Sequence, residues 1–338
     1  MSQAGRVSQR ASKFALLVAA IAVVVAGCTG GGDEATTRSP SATTRRRTTG
    51  TQRHRKVVLE RKPSAGCRRP RPTAPVVQDQ VRQITVDGTA HNYHLWAPAT
   101  RPSRLPTALV LLFHGFANNG AGIAKLTRLP TRGLKRGLMV VAPDGPGQTW
   151  QFTGNGTDAT YVDGLLASLT KAQCVDLRRI YVAGFSAGAA FSIAYACARP
   201  ERIAALATVA VEFQLGCKRP TAILDFHGTD DPLVPYRNGA VGLSLPGVHV
   251  RGTMLNMGDW ARLGRCATVP NEVAIGSDAR FTTWPHCADG AEVSLYSIEH
   301  GGHVWPRANR TANPSSTAAT GLDATGRMLD FFRRHRIS

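Results

Sequence analysis

The stretch Arg179-Ile180-Tyr181-Val182-Ala183-Gly184-Phe185-Ser186-Ala187-Gly188-Ala189-Ala190 constrains this chain more than any other. Arg179 to Ala183 read as a short buried strand. Gly184-Phe185-Ser186-Ala187-Gly188 fits G-x-S-x-G, and the small residues from Ala189 to Ala198 read as a helix. A strand, a sharp turn and a helix in that order are what a serine nucleophile on a strained turn requires. The turn pushes the Ser186 hydroxyl out of the sheet. Gly184 and Gly188 carry no Cβ, so strand and helix can pass close together. Ala187 then offers its backbone N–H to a developing oxyanion at the positive end of a helix.

The flanking sequence predicts the sheet that such a turn needs. Arg82 to Val86 and His91 to Trp96 alternate in polarity around Asp87-Gly88, an opening hairpin. Ala108 to Phe113 and Leu138 to Ala142 are continuous apolar runs, suited to parallel strands buried on both faces. Asp158 to Leu169 has helical spacing. Further strands are expected within Ile203–Val211, over Ala222–Phe226 and over Glu292–Ile298, and a closing helix within Gly321–Arg336. Alternating strands and helices predict an α/β fold with a mostly parallel, doubly wound sheet, helices on both faces and no large lid.

The N-terminal quarter has a different character. Residues 1–75 carry 15 Lys and Arg against 3 Asp and Glu, so +12 of the net +19 lies there and not on the domain that follows. Arg6, Arg10 and Lys13 precede an apolar run from Phe14 to Ala26, the pattern of an export signal and too short to span a bilayer comfortably. It ends Val25-Ala26-Gly27-Cys28, which resembles a bacterial lipobox and implies lipid on Cys28. Three units are therefore expected: a lipoprotein signal at 1–28, a disordered basic tether at 29–75, and a catalytic domain at 76–338. The lipid anchor makes the membrane an expected partner and the location extracytoplasmic, lipid-anchored or secreted. No nucleic-acid module is visible, so nucleic acid is not expected.

Beyond the turn, Ser186, Asp231 and His303 each follow a predicted strand, so all three should meet at one edge of the sheet. Their order is that of α/β-hydrolases. In that arrangement Ser186 attacks an acyl carbonyl, His303 moves its proton and Asp231 orients the imidazole. Phe116, in the His-Gly loop after Phe113, supplies the second oxyanion amide beside Ala187. Asp230, Asp225 and Glu212 are rivals for the acid, and His300 for the base. His114 reads as a structural hydrogen-bonder. Neither H-e-x-x-H nor Cys-x-x-Cys occurs, so no metal and no cofactor is expected. Trp150 and Trp305, just past a strand end and a site motif, are expected to line the substrate cleft with Phe116.

Gly184 to Ala189, His227-Gly228-Thr229-Asp230-Asp231-Pro232-Leu233-Val234-Pro235-Tyr236 and Gly301-Gly302-His303-Val304-Trp305-Pro306 together resemble the polyhydroxybutyrate depolymerase/feruloyl esterase family. The lipobox and tether make the chain similar to its lipoprotein branch, the LpqC-like esterases. The resemblance runs from about Val76 to Arg336. It implies that Asp231 is the acid and His303 the base. It also implies a serine esterase acting on small or polymeric carboxylic esters: polyhydroxyalkanoates, feruloyl esters or other short or aryl acyl esters. The competing readings are a catalytically silent surface binding protein on the same fold and a serine peptidase.

With Cys28 lipidated, six cysteines remain, and an even number in an exported chain suggests disulfides. Cys266 and Cys287 flank one excursion and are the first expected pair. Cys174 with Cys217 is the second, with Cys197 read as a possible free thiol.

Overall fold

The computed structural model describes residues 61–68, 76–99, 105–214, 216–240, 249–307 and 322–337. Cys28, the expected signal and most of the expected tether lie outside them.

The hairpin of β1 (Val77–Val86) and β2 (Thr89–Ala97) opens the domain. Then follow β3 (Thr107–Phe113), α1 (Gly120–Thr127), α2 (Leu129–Lys135), β4 (Met139–Pro143), α3 (Thr157–Ala172), β5 (Val175–Phe185) and α4 (Ala187–Ala198). Next are β6 (Ala205–Val209), β7 (Ala222–Gly228), the two-residue strands β8 (Gly239–Ala240) and β9 (His249–Val250), and α5 (Thr253–Leu263). The chain closes with β10 (Asn271–Ile275), β11 (Ala279–Trp284), β12 (Val293–Ile298) and α6 (Ala324–Arg334).

The large sheet runs β1-β2-β4-β3-β5-β6-β7-β12-β11-β10. Its centre, β4-β3-β5-β6-β7-β12, is parallel throughout. An antiparallel hairpin closes each edge. This is the doubly wound α/β architecture expected from the sequence. The central strands are apolar on both sides because both faces are covered. Leu109, Leu111 and Phe113 of β3 face α3 and α4, in a core with Leu165, Phe191 and, from α5, Trp260. Ala108, Val110 and Leu112 face the other way, into a core with Ile123, Leu129, Leu329 and Phe332.

Two expectations are corrected. Residues 61–68, assigned to the disordered tether, pack on the domain. Leu177 N–H donates to the Lys62 carbonyl at 2.8 Å and Ser64 N–H to the Val175 carbonyl at 2.9 Å. Lys62 N–H donates to Asp176 Oδ1, and Cys67 is disulfide-bonded to Cys174. Backbone bonds and one covalent link hold this segment, so its polar composition gives no sign of order. The cysteine pairing also differs. Cys266–Cys287 is present, but Cys174 is taken by Cys67, and Cys197 in α4 pairs with Cys217 in the loop after β6. Three disulfides are the chemistry of an oxidising, extracytoplasmic compartment.

Candidate active site

β5 ends where the backbone turns sharply into α4, and Ser186 occupies the corner at φ 54°, ψ −120°. A non-glycine residue holds that region only when its surroundings force it there. The forcing groups are visible. Ser186 N–H donates to the Val209 carbonyl of β6 at 3.0 Å. Its own carbonyl starts α4, accepting from Ala189 and Ala190 at 2.9 and 3.1 Å. A Cβ on Gly184 would overlap the backbone of Gly188, and one on Gly188 would overlap the carbonyl oxygens of Phe113 and His114. The motif glycines are therefore required by backbone contact, and the second presses the elbow against the end of β3.

The loop after β3 carries the expected oxyanion donor Phe116. His114 is buried and fixes this loop. Its Nδ1 donates to the Gly115 carbonyl at 2.8 Å, and its Nε2 accepts from Gly145 N–H at 2.8 Å. That pattern needs a neutral ring, and burial lowers the His114 pKa in the same direction. Trp150 Nε1 donates to the His114 carbonyl, and Ala117 N–H donates to the Gln148 carbonyl. Gly115 lies beside Ser186: a Cβ placed on it would sit 3.5 Å from that of Ser186. Ala187 is the first residue of α4, at the end where helix amides lack intrahelical acceptors.

Asp231 and His303 come together from loops after β7 and β12, neighbouring parallel strands. His303 Nδ1 donates to Asp231 Oδ2 at 2.8 Å. Asp231 Oδ1 accepts from Leu233 N–H at 2.8 Å and Val234 N–H at 2.9 Å. Burial alone would raise the Asp231 pKa. Hydrogen bonds from His227, His303 and Val234 outweigh it and hold the carboxyl well below its ordinary range. With the proton on Nδ1, the Nε2 of His303 is left as the basic nitrogen. The His303 ring lies 5.1 Å from that of Phe185, the residue before Ser186.

The rivals sit elsewhere. His300 and Asp230 make an exposed pair at 3.1 Å, with side chains 82% and 59% accessible. Asp225 is inside β7 and accepts from Thr208 Oγ1 at 2.7 Å. Burial, then repulsion from Glu212, pushes its carboxyl up to about 8. Glu212 bonds His227 at 2.7 Å.

The two tryptophans expected in the cleft are not there. Trp150 is 0% exposed and stacks on Phe191 at 4.7 Å. Trp305 is 3% exposed and donates to Thr325 Oγ1 at 3.1 Å, tying the His303 loop to α6. Both are wall-braces, because their large rings fill core space behind the loops. The exposed apolar groups on the site loops are Phe116 at 53% and Leu233 at 48%. Leu233 lies within the quoted Asp231 motif but was assigned no place in the cleft. Its only signal was its place two residues after Asp231.

A family model described as alpha/beta hydrolase fold matches residues 108–243. Feruloyl esterase B of Piromyces equi is 30% identical over 213 residues, covering 58% of this chain but only 39% of that protein. Feruloyl esterase D of Neurospora crassa is 26% identical over 257 residues, covering 71% of this chain and 81% of the relative. The chain has the α/β-hydrolase fold, and its sequence is similar to these feruloyl esterases. The acetyl xylan esterase from Aspergillus awamori matches this α/β-hydrolase with a TM-score of 0.54 at 15% identity, over 75% of this chain and 99% of that one, a likeness of fold.

Proposed function

We propose that this α/β-hydrolase is a serine carboxylic ester hydrolase working through a Ser186–His303–Asp231 triad and an acyl-enzyme. The observation that carries the reading is the Asp231–His303 hydrogen bond, made at the same carboxyl edge of the parallel strands as a serine held at positive φ. In the first half-reaction His303 Nε2 takes the Ser186 proton as the hydroxyl oxygen attacks the acyl carbonyl. The Phe116 and Ala187 amides bear the oxyanion. The same nitrogen then protonates the departing alcohol. In the second half water replaces the alcohol, and the carboxylic acid leaves with Ser186 restored. Asp231 orients the ring and balances the imidazolium without taking its proton.

Phe116 and Leu233 supply exposed apolar surface on the oxyanion and acid loops. They favour an acyl or aryl group of modest size. Feruloyl and acetyl esters, the substrates named for the relatives, fit that description, and short hydroxyacyl oligomers fit it as well. The tether and Cys28 are read as a lipid anchor that holds the enzyme outside the cytoplasmic membrane.

The test is a fluorophosphonate label followed by a panel of p-nitrophenyl acetate to palmitate, methyl ferulate and 3-hydroxybutyrate oligomers. Labelling at Ser186 is expected, with short or aryl esters preferred. Ser186→Ala should lose activity on the order of 10⁶-fold. A Ser186→Ala enzyme that still hydrolyses esters normally, or a preference for palmitate with interfacial activation, would refute the reading. Cys28→Ser should release the protein from the membrane fraction.

A further inference from the structure

Beside Asp231, near the same carboxylate oxygen that His303 bonds, lies a second buried histidine that the triad does not use. His227, at the end of β7, is 1% exposed. Its Nε2 stands 2.9 Å from the Val234 carbonyl and 3.5 Å from Asp231 Oδ2. Its Nδ1 stands 2.7 Å from Glu212 Oε2 and 3.1 Å from Thr253 Oγ1. A carbonyl oxygen only accepts, so Nε2 carries a proton. Glu212 is itself pinned as an acceptor. Asn256 Nδ2 donates to Glu212 Oε1 at 2.7 Å, and the same nitrogen faces the Arg251 carbonyl at 3.2 Å, which fixes the amide orientation. One more proton lies between Glu212 and His227.

We propose that His227 is a positioning residue for the active-site acid: as an imidazolium paired with Glu212, it clamps the Asp231–Val234 turn and holds the Asp231 carboxylate on His303. This rests on the triad reading above. The geometry of the turn supports it. Val234 is held at both ends, its N–H on Asp231 Oδ1 and its carbonyl on His227 Nε2. Asp231 cannot swing without breaking the His227 contact. The charges agree. The titratable groups around His227 are Glu212 after β6, Asp225 on β7, and Asp231 and Tyr236 on the following loop. α5 contributes the neutral Thr253 and Asn256. Burial alone would lower the His227 pKa. Glu212 and Asp231 override it and push it well above its ordinary value. A buried imidazolium between two carboxylates is compensated, whereas either carboxylate alone would be a costly buried charge.

The consequence for chemistry has a definite sign. A cation beside Asp231 offsets part of the negative charge that stabilises protonated His303. Removing it leaves the Asp231 charge unopposed, so the acid limb of the kcat/KM profile should move to higher pH.

The experiment compares wild type, His227→Gln, Glu212→Gln and Asp231→Asn in p-nitrophenyl acetate hydrolysis across pH, with fluorophosphonate labelling as the active-site count. For His227→Gln, kcat should fall by about 10- to 100-fold, as when groups that orient a functional side chain are removed. Its acid limb should rise by about half a pH unit or more. Glu212→Gln takes away the carboxylate that keeps His227 protonated, so the cation is lost with it and the acid limb should shift the same way by a smaller amount. A His227→Gln profile superimposed on wild type, beside an impaired Asp231→Asn, overturns this inference and leaves the triad standing. An Asp231→Asn enzyme with wild-type rates overturns the triad as well. If His227→Gln does not fold, ¹⁵N NMR of the wild-type imidazoles decides. His227 should carry protons on both ring nitrogens at neutral pH, where a free imidazole is mostly neutral. A bare Nδ1 at neutral pH would overturn the inference.

Discussion

Gly188 and His114 meet backbone to backbone: the α-carbon of the fifth motif residue rests against the carbonyl oxygen of the buried histidine that follows β3. The contact joins the nucleophile elbow to the oxyanion loop as one rigid piece. Gly188→Ala would drive a methyl into the Phe113 carbonyl at the end of β3 and the His114 carbonyl, which Trp150 Nε1 holds in place. Loss of labelling together with a fall in stability of about 1–3 kcal/mol is expected. Thermal unfolding and fluorophosphonate stoichiometry measure both. A stable, fully labelled variant would mean that the two loops are independent.

The strain at Ser186 gives a prediction of opposite sign for stability and activity. Its φ of 54° suits glycine and not a residue with a Cβ. Ser186→Gly and Ser186→Ala should both be inactive. Ser186→Gly should be the more stable of the two by about 1 kcal/mol or more, because only alanine keeps the strain. Equal denaturant midpoints would show that the corner is unstrained.

Asp225 predicts a pH-dependent stability. Its carboxyl is buried, with Oδ2 unpartnered, and is pushed up to about 8. The folded state therefore keeps a proton that the unfolded chain releases near its ordinary value of about 4. That contribution is complete below pH 4 and is lost as pH rises towards 8. Asp225→Asn, which mimics the protonated form, should match wild type near pH 4 and exceed it increasingly up to about pH 8. Melting curves across pH test this. A gap that is constant or shrinks as pH rises would contradict it.

The Cys67–Cys174 disulfide closes a separation of 107 residues, against 21 for Cys266–Cys287. Under the loop-entropy model the longer link stabilises more. Cys67→Ser with Cys174→Ser should cost about 2–4 kcal/mol, exceeding the loss from the Cys266–Cys287 double variant. Neither Cys67 nor Cys174 belongs to the site, so p-nitrophenyl acetate turnover at room temperature should survive. Guanidinium unfolding ranks the two variants, and the reverse order would show that native-state strain outweighs chain entropy.

The sequence alone determined the central sheet, because six parallel strands buried on both faces must read as apolar runs and their helices as periodic ones. It also determined the elbow, where the glycine spacing reflects backbone contacts that tolerate no side chain. The loops bearing Asp231 and His303 were legible for the same reason, each following a strand. The edge hairpin β10–β11 was missed: β10 is largely exposed, with Val273 59% accessible, and its apolar stretch Val273-Ala274-Ile275 is too short to stand out. Only the tertiary structure decided which side chains face the cleft. Trp150 and Trp305 carry the same letters whether they line a groove or fill a core, and burial by Phe191 and Thr325 settled their place behind the loops. The cysteine pairing was likewise invisible, since pairing depends on which strand ends come near each other and not on spacing along the chain. The ring of His227 against Asp231 arises in the same way: Glu212, His227 and Asp231 lie on two strand ends and one turn, and the parallel pairing of β6 with β7 brings them within hydrogen-bonding range.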